Sequence, residues 1–358
     1  MTATNAPTRR IPVGVLGATG AVGQTFIRLL ADHPWFEVTA VAASERSAGK
    51  RYRDGAHWLG GEMPRRAADL TISACDPASV DAQIVFSALD SDAAQDVEPA
   101  FARAGKIVLS NARNYRMDPD VPLLIPEVNP DHLELLPIQR AARDWSGAII
   151  TNSNCSTMVI ALALAPLHQA FGVEQLFVTT LQALSGAGYP GVPALDILGN
   201  IIPFIGGGEE EKIESEPLKI LGRLERGAVT PARMRVSAQV NRVAVEHGHT
   251  AAMAVKFESR VTPEAAVEAL RSWKGAIVDL KLPSAPANPV IVTMERDRPQ
   301  PRRDVNAGNG MSVVVGRVRS DPILDVRLVA MGHNTVRGAA GASILNAELM
   351  FARGLLPA

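Results

Sequence analysis

The sequence predicts an α/β fold with a doubly wound parallel sheet first and a large mixed, mostly antiparallel sheet after it. Up to about residue 150, short apolar runs alternate with segments of helical periodicity, which is typical of parallel sheets. Beyond that point the apolar segments become longer, alternate in polarity and are rich in Val and Thr. The length of 358 residues exceeds one ordinary domain of roughly 150 residues, so we expect two domains.

The charge balance and the cysteine count limit the partners and the compartment. With 36 basic and 37 acidic residues, the chain has no electrostatic footprint for nucleic acid or an anionic membrane. Two cysteines, Cys75 and Cys155, are too few for a disulfide framework and favour a reducing compartment. The longest apolar stretch, 158–167, is half of the about 20 residues that a membrane span needs. We therefore predict a soluble, cytoplasmic protein.

The N-terminal part contains the elements of a parallel sheet in order. Ile11–Leu16 is a buried strand by its length and flanks, and Gln24–Ala31 has the apolar spacing of a helix. Further predicted strands are Phe36–Ala43, Gln83–Ala88 and Lys106–Leu109. We assign residues 1–152 to this first domain, with 1–10 as a disordered leader.

The second part contains the strands of the larger sheet. These are predicted at Leu176–Leu184, Met234–Val245, Thr250–Phe257, Met311–Val318 and Ile323–Met331. Thr262–Lys274 is a helix with Pro263 in its first turn. The Ala-rich stretch Val336–Arg353 is a further helix. We assign residues 153–333 to the second domain and expect 334–358 to complete the first.

A glycine-rich turn follows the first strand and precedes the first helix. Gly17 permits a tight turn, Gly20 lets the backbone approach a pyrophosphate, and Gly23 allows close packing of helix on strand. The helix start offers free N–H groups and a positive dipole end. The GxxGxxG spacing is a variant of the dinucleotide fingerprint, so a Rossmann-like domain is predicted, against a plain glycine-rich turn.

The end of the second strand bears on the choice of cofactor. An acidic side chain there binds ribose hydroxyls, whereas an arginine accommodates a 2′-phosphate. Arg46 with Ser44 favours NADP, and Glu45 keeps NAD open.

Cys155 lies in a polar frame just before an apolar helix. Asn154 or Ser153 is a suitable N-cap, which would place Cys155 in the first helical turn. There the dipole and free N–H groups would lower the thiol pKa and face a developing oxyanion. The alternative is a small buried hydrophobic residue, which is the interpretation for Cys75.

A nucleophilic cysteine needs an acid/base partner, and His247 and His249 flank Gly248 near a strand end. Arg242 and His249 are an odd number of residues apart, so one straight strand would place them on opposite faces. A bend at Gly248 would be needed to bring both into one site. A polar turn residue is the alternative for either histidine.

Longer motifs resemble a known family. They are GATGAVG (17–23), ASERSAGK (43–50), SNARNYRMDPDVPLLIPEVN (110–129), SNCST (153–157), LQALSGAGYPG (181–191), GGEEEKIESEPLKILG (207–222), NRVAVEHGHT (241–250) and NTVRGAAGASILNAEL (334–349). Together they resemble the aspartate-β-semialdehyde dehydrogenases of archaea and fungi, over nearly the whole chain.

The resemblance implies an activity and a set of catalytic residues. Such enzymes reduce L-aspartyl-4-phosphate with NADPH to the 4-semialdehyde and phosphate, for lysine, threonine and methionine synthesis. It implies Cys155 as the nucleophile that forms a thioester, His249 as the acid/base and Gln182 as the residue that orients the intermediate. It further implies a homodimer or homotetramer and no metal.

The resemblance also implies the binding residues. Substrate would be held by Arg242 at the α-carboxylate, Glu216 at the ammonium, Lys219 and Arg116 at the phosphate, and Asn154. NADP(H) would be held by Gly17, Thr19, Gly20, Ala21, Val22, Gly23, Ser44, Arg46, Ser47, Ser87, Ala88, Gly186 and Asn334.

The spacing of Glu216 and Lys219, three apart, would place both on one face of a helix. Pro217 favours a helix start, so that turn is expected to begin near Ser215. A surface salt bridge is the alternative for this pair.

Other functions stay open. Arg113-Asn114-Tyr115 departs from the family's small or apolar residues before Arg116 and adds a cation near the phosphate pocket. A malonyl-CoA reductase or an N-acetylglutamyl-phosphate reductase would use the same cysteine chemistry. The alternative outside enzymes is an NADP-binding sensor, which has no need of a nucleophile.

Overall fold

A computed structural model describes residues 6–356. Part of the predicted leader, 1–10, and the last two residues of the segment 334–358 lie outside the described residues. A six-stranded sheet organises the first part of this range. Its strands are β1 (Ile11–Leu16), β2 (Phe36–Ala43), β3 (Ile72–Ala74), β4 (Ile84–Ser87), β5 (Ile107–Ser110) and β6 (Ala148–Thr151). The order is β3-β2-β1-β4-β5-β6 and all pairs are parallel, which confirms the doubly wound sheet.

Helices cover this sheet. They are α1 (Ala21–Leu30), α2 (Tyr52–Gly55), α3 (Arg65–Ala68), α4 (Ser91–Arg103) and α5 (Leu136–Arg143). Helix α1 begins three residues before the start that apolar spacing predicts, because the small residues of the glycine turn hide the first turn of the pattern.

A mixed six-stranded sheet organises the second part of the described chain. Its strands are β7 (Val173–Gln182), β10 (Arg235–Arg242), β11 (His249–Phe257), β12 (Val290–Val292), β13 (Val313–Ser320) and β14 (Val326–Gly332), and β8 (Arg223–Glu225) with β9 (Ala228–Thr230) forms a separate hairpin. The order is β10-β7-β11-β14-β13-β12. The three central pairings are antiparallel and the two outer ones parallel, as predicted for a mixed, mostly antiparallel sheet.

The remaining helices follow β6 in the chain. They are α6 (Cys155–Phe171), α7 (Ala194–Ile197), α8 (Glu209–Ile220), α9 (Pro263–Ser272), α10 (Pro301–Asp304), a π-helix (Val336–Ala340) and α11 (Gly341–Ala352). Helix α6 is buried over most of its length in the core of the second sheet. Leu345 and Leu349 of α11 instead share a core with Val13 of β1 and Phe26 of α1.

Helix α8 differs from its prediction. It begins at Glu209 rather than near Ser215, and Pro217 lies inside it. A proline in a helix removes one backbone hydrogen bond. Burial of Ile213 and Ile220 on either side, and three acidic residues in the favourable first turn, outweigh that loss. Within residues 6–356, no helix combines the length and apolar character needed to cross a membrane.

Candidate active site

Cys155 is the first residue of α6, and the polar frame before it is fixed by hydrogen bonds. The Asn154 side-chain oxygen accepts from the backbone N–H groups of Ser156 (2.9 Å) and Thr157 (3.1 Å), so Asn154 is the N-cap. The Asn154 N–H itself donates to Glu216 Oε2 at 2.6 Å. These hydrogen bonds of Asn154 fix the start of α6, which carries the sulfur.

The imidazole of His249 meets this sulfur. Cys155 Sγ lies 3.2 Å from His249 Nε2, and His249 Nδ1 accepts from the Ala183 backbone N–H at 3.0 Å. The ring is therefore held between a strand end and the nucleophile, a geometry typical of a cysteine–histidine catalytic pair.

Three neighbouring strands bring the predicted residues together. Arg242 ends β10 and pairs with Gln182, which ends β7, while His249 begins β11 on the other side of β7. Arg242 and His249 thus lie on two strands with β7 between them. Gly248, with a φ of 102°, belongs to the turn before β11.

The electrostatics of the pair differ from the expectation for a helix start. Burial first, and Glu209 second, raise the pKa of the Cys155 thiol to about 12, against the cations Arg116, Lys212 and Arg242. Burial, with Arg242 next, lowers the pKa of His249 to about 3. The prediction of a lowered thiol pKa is wrong, because desolvation of the sulfur and the charge of Glu209 outweigh the three cations.

An open pocket of about 500 Å³ extends from the glycine-turn helix to a group of cations. Its lining includes Val22 of α1, Asp90 and Cys155. Four charged side chains, those of Arg113, Arg116, Glu209 and Lys212, also line it. The start of α1, the sulfur and this charged group therefore share one pocket.

Glu209 and Lys212 are pocket residues that the sequence interpretation missed. Glu209 accepts from the Asn154 side-chain amide (2.9 and 3.1 Å) and from Gln182 Nε2 (3.2 Å), and it forms an ion pair with Lys212. The available signal was a second E-x-x-K pattern, seven residues before Glu216 and Lys219.

Glu216 and Lys219 lie behind the pocket wall. The Lys219 ammonium donates to the backbone carbonyls of residues 116, 118 and 121 at 2.7–2.8 Å, which uses all three of its N–H groups. Burial lowers its pKa to about 8. Glu216 bonds Arg116 Nη1 at 2.9 Å, so it links Arg116 to the Asn154 N–H.

Arg242 is buried beside the pair. Its Nη1 donates to the Ala183 carbonyl at 2.8 Å. Gly186 packs against it, since a Cβ there would lie 2.9 Å from both Arg242 Nη1 and His249 Cε1. Gly338 of the π-helix is equally close to the nucleophile, because a Cβ there would lie 2.8 Å from Cys155 Cβ. The sequence interpretation did not single out Gly338.

The glycine turn has the close approaches that its spacing predicts. Gly17 has a φ of 68°, and a Cβ on it would lie 2.6 Å from the Ala88 carbonyl oxygen. A Cβ on Gly23 would lie 2.3 Å from the Gly17 carbonyl oxygen. Gly20 is the N-cap of α1, and no side chain of the described residues caps this helix. The α1 N-terminus, with Thr19, Ala21 and Val22, therefore fits a dinucleotide phosphate.

The other predicted cofactor residues lie around the same edge. Ser44 and Arg46 are exposed after β2, and the Ser47 N–H donates to the Ser44 carbonyl at 2.9 Å. Ser87 ends β4 at the sheet's switch point, next to Ala88. Asn334 joins the pocket by accepting from the Gly248 N–H (2.9 Å) and donating to Ser185 Oγ (2.8 Å). Among residues 6–356, no cluster of three His, Cys, Asp or Glu side chains could hold a metal.

Comparisons with known proteins agree with this geometry. Residues 12–136 match the family model described as semialdehyde dehydrogenase, NAD binding domain, and residues 164–337 match semialdehyde dehydrogenase, dimerisation domain. Aspartate-semialdehyde dehydrogenase of Archaeoglobus fulgidus is 54% identical over 95% of this chain and 98% of the relative. The Saccharomyces cerevisiae enzyme is 46% identical over 96% of this chain and 98% of its own length.

Solved structures give the same result. The crystal structure of aspartate semialdehyde dehydrogenase with NADP from Candida albicans has a TM-score of 0.89 at 43% identity, over 97% of this chain and 100% of that one. Aspartate semialdehyde dehydrogenase II of Vibrio cholerae has a TM-score of 0.75 at 28% identity, over 96% and 98% of the two chains. With both family domains matched and relatives that are 46% and 54% identical over nearly the whole chain, this chain belongs to the aspartate-semialdehyde dehydrogenase family.

Proposed function

We propose that the protein catalyses the NADPH-dependent conversion of L-aspartyl-4-phosphate to L-aspartate-4-semialdehyde and phosphate through a thioester on Cys155. The observation that carries the proposal is the 3.2 Å contact between Cys155 Sγ and His249 Nε2, in a pocket that runs from the glycine turn to a group of cations. The reaction supplies a precursor for lysine, threonine and methionine.

The pocket charges suit a substrate with two anionic groups and one ammonium. Glu209 is the carboxylate that lines the pocket, so we assign it the substrate ammonium in place of Glu216. Lys212, Arg116 and Arg113 take the phosphate, in place of Lys219. Glu216 and Lys219 then act as positioning residues, since they hold Arg116 and the segment around it.

Around the reacting carbon, Cys155 attacks the acyl phosphate while Gln182 and Asn154 fix the side of the pocket opposite His249. Gln182 is held by its bond to Glu209, so a substrate ammonium on Glu209 would be placed relative to the same amide. Arg242 takes the α-carboxylate, since its guanidinium has further donors beyond the contact with Ala183. Bound NADPH supplies the hydride.

NADP is part of the proposal. The Candida albicans relative was solved with NADP, and the matched N-terminal family model is named for NAD binding. The free α1 N-terminus suits the pyrophosphate, and exposed Arg46 with Ser44 suits a 2′-phosphate.

The chain is also proposed to form two domains and to assemble with copies of itself. Residues 1–152, completed by 334–358, would bind the cofactor, and 153–333 would carry catalysis and assembly as a homodimer or homotetramer. The matched dimerisation-domain model supports this, as do the exposed apolar side chains of Leu195, Ile201 and Phe204. A cytoplasmic location rests on the cysteine usage.

The decisive experiment is a phosphate-dependence assay. Aspartate semialdehyde and NADP should yield NADPH only when phosphate or arsenate is present. Cys155→Ala should abolish this activity and leave NADP binding intact, which separates an enzyme from a cofactor-binding sensor. Consumption of NADPH with malonyl-CoA, and none of NADP with the semialdehyde, would reject the proposal in favour of a CoA-thioester reductase.

A further inference from the structure

We infer that the buried ion pair of Glu127 with Arg337 is a positioning pair for the reaction, because it fixes the π-helix whose Gly338 packs against Cys155. Neither charged side chain lines the pocket, so the pair acts through the backbone between it and the nucleophile. The effect on turnover rests on the proposed function, whereas the effect on access to the sulfur does not.

The ion pair has a geometry that fixes orientation as well as distance. Arg337 Nη1 donates to Glu127 Oε1 and Arg337 Nη2 donates to Glu127 Oε2, each at 2.7 Å. The exposed fraction is 0% for the Arg337 side chain and 1% for that of Glu127. A planar guanidinium that bonds both oxygens of a carboxylate has little freedom to rotate or slide. The pair therefore holds the π-helix, through Arg337, against the segment between β5 and α5.

Burial limits what this pair adds to stability. Taking two charges out of water costs about as much free energy as their attraction returns, so an apolar pair of similar volume often gives an equally stable protein. An apolar pair cannot supply the two parallel hydrogen bonds. The contribution that we assign to Glu127 and Arg337 is therefore the orientation of the backbone that carries Arg337.

The hydrogen bonds of the π-helix show why that orientation matters. The Gly338 N–H donates to the His333 carbonyl at 2.9 Å, and the Ala340 N–H donates to the Thr335 carbonyl at 3.1 Å. Both bonds reach five residues back, whereas an α-helix bonds four residues back and turns by about 100° per residue. The extra residue therefore turns Gly338 by about that angle relative to α11, compared with a continuous α-helix.

The elements on both sides of the π-helix leave it no freedom to unwind. Residues 341–350 of α11 are all buried, so this helix cannot rotate about its axis. Asn152, three residues before Cys155, donates from Nδ2 to the Ala339 carbonyl at 2.8 Å, and Asn346 Nδ2 of α11 donates to Asn152 Oδ1 at 2.8 Å. The π-helix is thus tied to the segment of the nucleophile and, through the ion pair, to the segment before α5.

The π-helix also forms part of the pocket wall beside the sulfur. A Cβ on Gly338 would lie 2.8 Å from Cys155 Cβ and 3.1 Å from its Cα, so the two backbones are in close contact. Asn334, Thr335 and Ala339 line the same pocket as Cys155. A displacement of about 0.5 Å is enough to take reacting groups out of a productive geometry. Loss of the ion pair should therefore misplace Cys155 and admit more water to its sulfur.

The first test compares Glu127→Gln with Glu348→Gln in the full-length protein. Glu348 is the matched control, because it is an equally buried carboxyl group on α11, and it bonds His33 Nε2 at 2.8 Å. The readout is the rate of iodoacetamide alkylation of Cys155, followed on its peptide by mass spectrometry. We expect Glu127→Gln to raise this rate roughly threefold or more, and Glu348→Gln to leave it unchanged within about twofold. Equal rates in the two variants would overturn the inference, whatever the enzyme's substrate.

The second test removes both charges with Glu127→Leu combined with Arg337→Met. This double variant leaves no unpaired buried charge, so its midpoint of urea denaturation should stay close to that of the wild type. In the phosphate-dependent assay we expect kcat to fall about tenfold or more. The KM for phosphate should stay within about twofold, because Arg113, Arg116 and Lys212 lie on other elements. A wild-type kcat in the double variant would show that the pair is structural only.

Arg337→Lys checks the same point with the charge retained. Lysine is a point charge without the fork, so this variant should also lose kcat and keep its KM for phosphate. It decides the question if the double variant does not fold, since wild-type kcat in Arg337→Lys would overturn the inference. Absence of phosphate-dependent activity in the wild-type protein would reject the proposed function instead, and the alkylation rates would then decide the inference alone.

Discussion

At the scale of single residues, the charge next to Cys155 governs how much of the sulfur is thiolate. Glu209 is the anion that raises the Cys155 pKa, and it is also the residue proposed to bind the substrate ammonium. An ammonium on Glu209 would offset its charge, so substrate binding itself would favour the thiolate. On this assignment, the thiol of the free enzyme should react slowly with alkylating agents.

Glu209→Gln should make the free thiol more reactive. The variant removes the negative charge near the sulfur, which should lower the pKa of the Cys155 thiol by up to about one unit. The rate of iodoacetamide alkylation of Cys155 at pH 8 should then rise roughly three- to tenfold. Glu211→Gln is the matched control, since Glu211 is exposed on the same helix turn. If the two variants react at the same rate, the Glu209 charge does not control the sulfur.

At the scale of elements, helix α8 carries two E-x-x-K pairs with different tasks. The pair at its start, Glu209 and Lys212, lines the pocket, and the pair two turns later is buried in the wall. Both pairs have the same spacing, and it was the family resemblance that pointed to the later pair. The true start of α8 at Glu209, which Pro217 obscured in the sequence, decides which pair reaches the pocket.

Lys212→Ala and Lys219→Ala should separate these tasks. Lys212→Ala should raise the KM for phosphate roughly tenfold, the equivalent of about 1.4 kcal/mol, with little change in stability. Lys219→Ala leaves three backbone carbonyls without their donor and should lower the free energy of unfolding by about 3 kcal/mol. Urea denaturation and phosphate titrations measure both. A stable Lys219→Ala protein with weakened phosphate binding would reverse the assignment.

The π-helix Val336–Ala340, near the C-terminal end of the chain, contacts Cys155 through Gly338. A methyl group on Gly338 would collide with Cys155 Cβ at 2.8 Å and with its Cα at 3.1 Å, both on a rigid helix start. Gly338→Ala should therefore cost about 1–3 kcal/mol of stability and most of the turnover. Gly60→Ala is the control, because no described atom lies within 4 Å of a Cβ built there. A normal kcat in Gly338→Ala would show that the start of α6 can move to accommodate the added methyl group.

These elements also show which features of the fold and the site could be predicted from the sequence. The glycine turn, the N-cap Asn154 and the strand sequence were predictable because each depends on local chemistry. The contact of Cys155 with His249 required the pairing of β7 with β10 and β11, which no local pattern encodes. The raised thiol pKa was missed for a similar reason, since desolvation depends on how the whole pocket wall is packed.

At the scale of the whole molecule, buried titratable groups make stability depend on pH. Burial lowers the pKa of His132 to about 4, of His249 to about 3 and of His333 to about 4. Between these values and about 6.5, the unfolded chain binds more protons at each histidine, so the free energy of unfolding rises with pH. Between pH 4.5 and about 7, Glu98 has the opposite effect on the free energy of unfolding, because burial raises its pKa to about 7.

Together, the three histidines change the free energy of unfolding more than Glu98 does. The protein should therefore lose stability as the pH falls from 6.5 to 5. At about 1.4 kcal/mol per pH unit, each histidine contributes a loss of about 2 kcal/mol, Glu98 returns a similar amount, and the net loss is about 4 kcal/mol. Equilibrium urea denaturation across this range measures it. His132→Gln should remove about one histidine's share of the slope, whereas exposed His57→Gln should leave it unchanged. A free energy of unfolding that stays constant from pH 5 to 6.5 would mean that these histidines become solvated and protonated without unfolding.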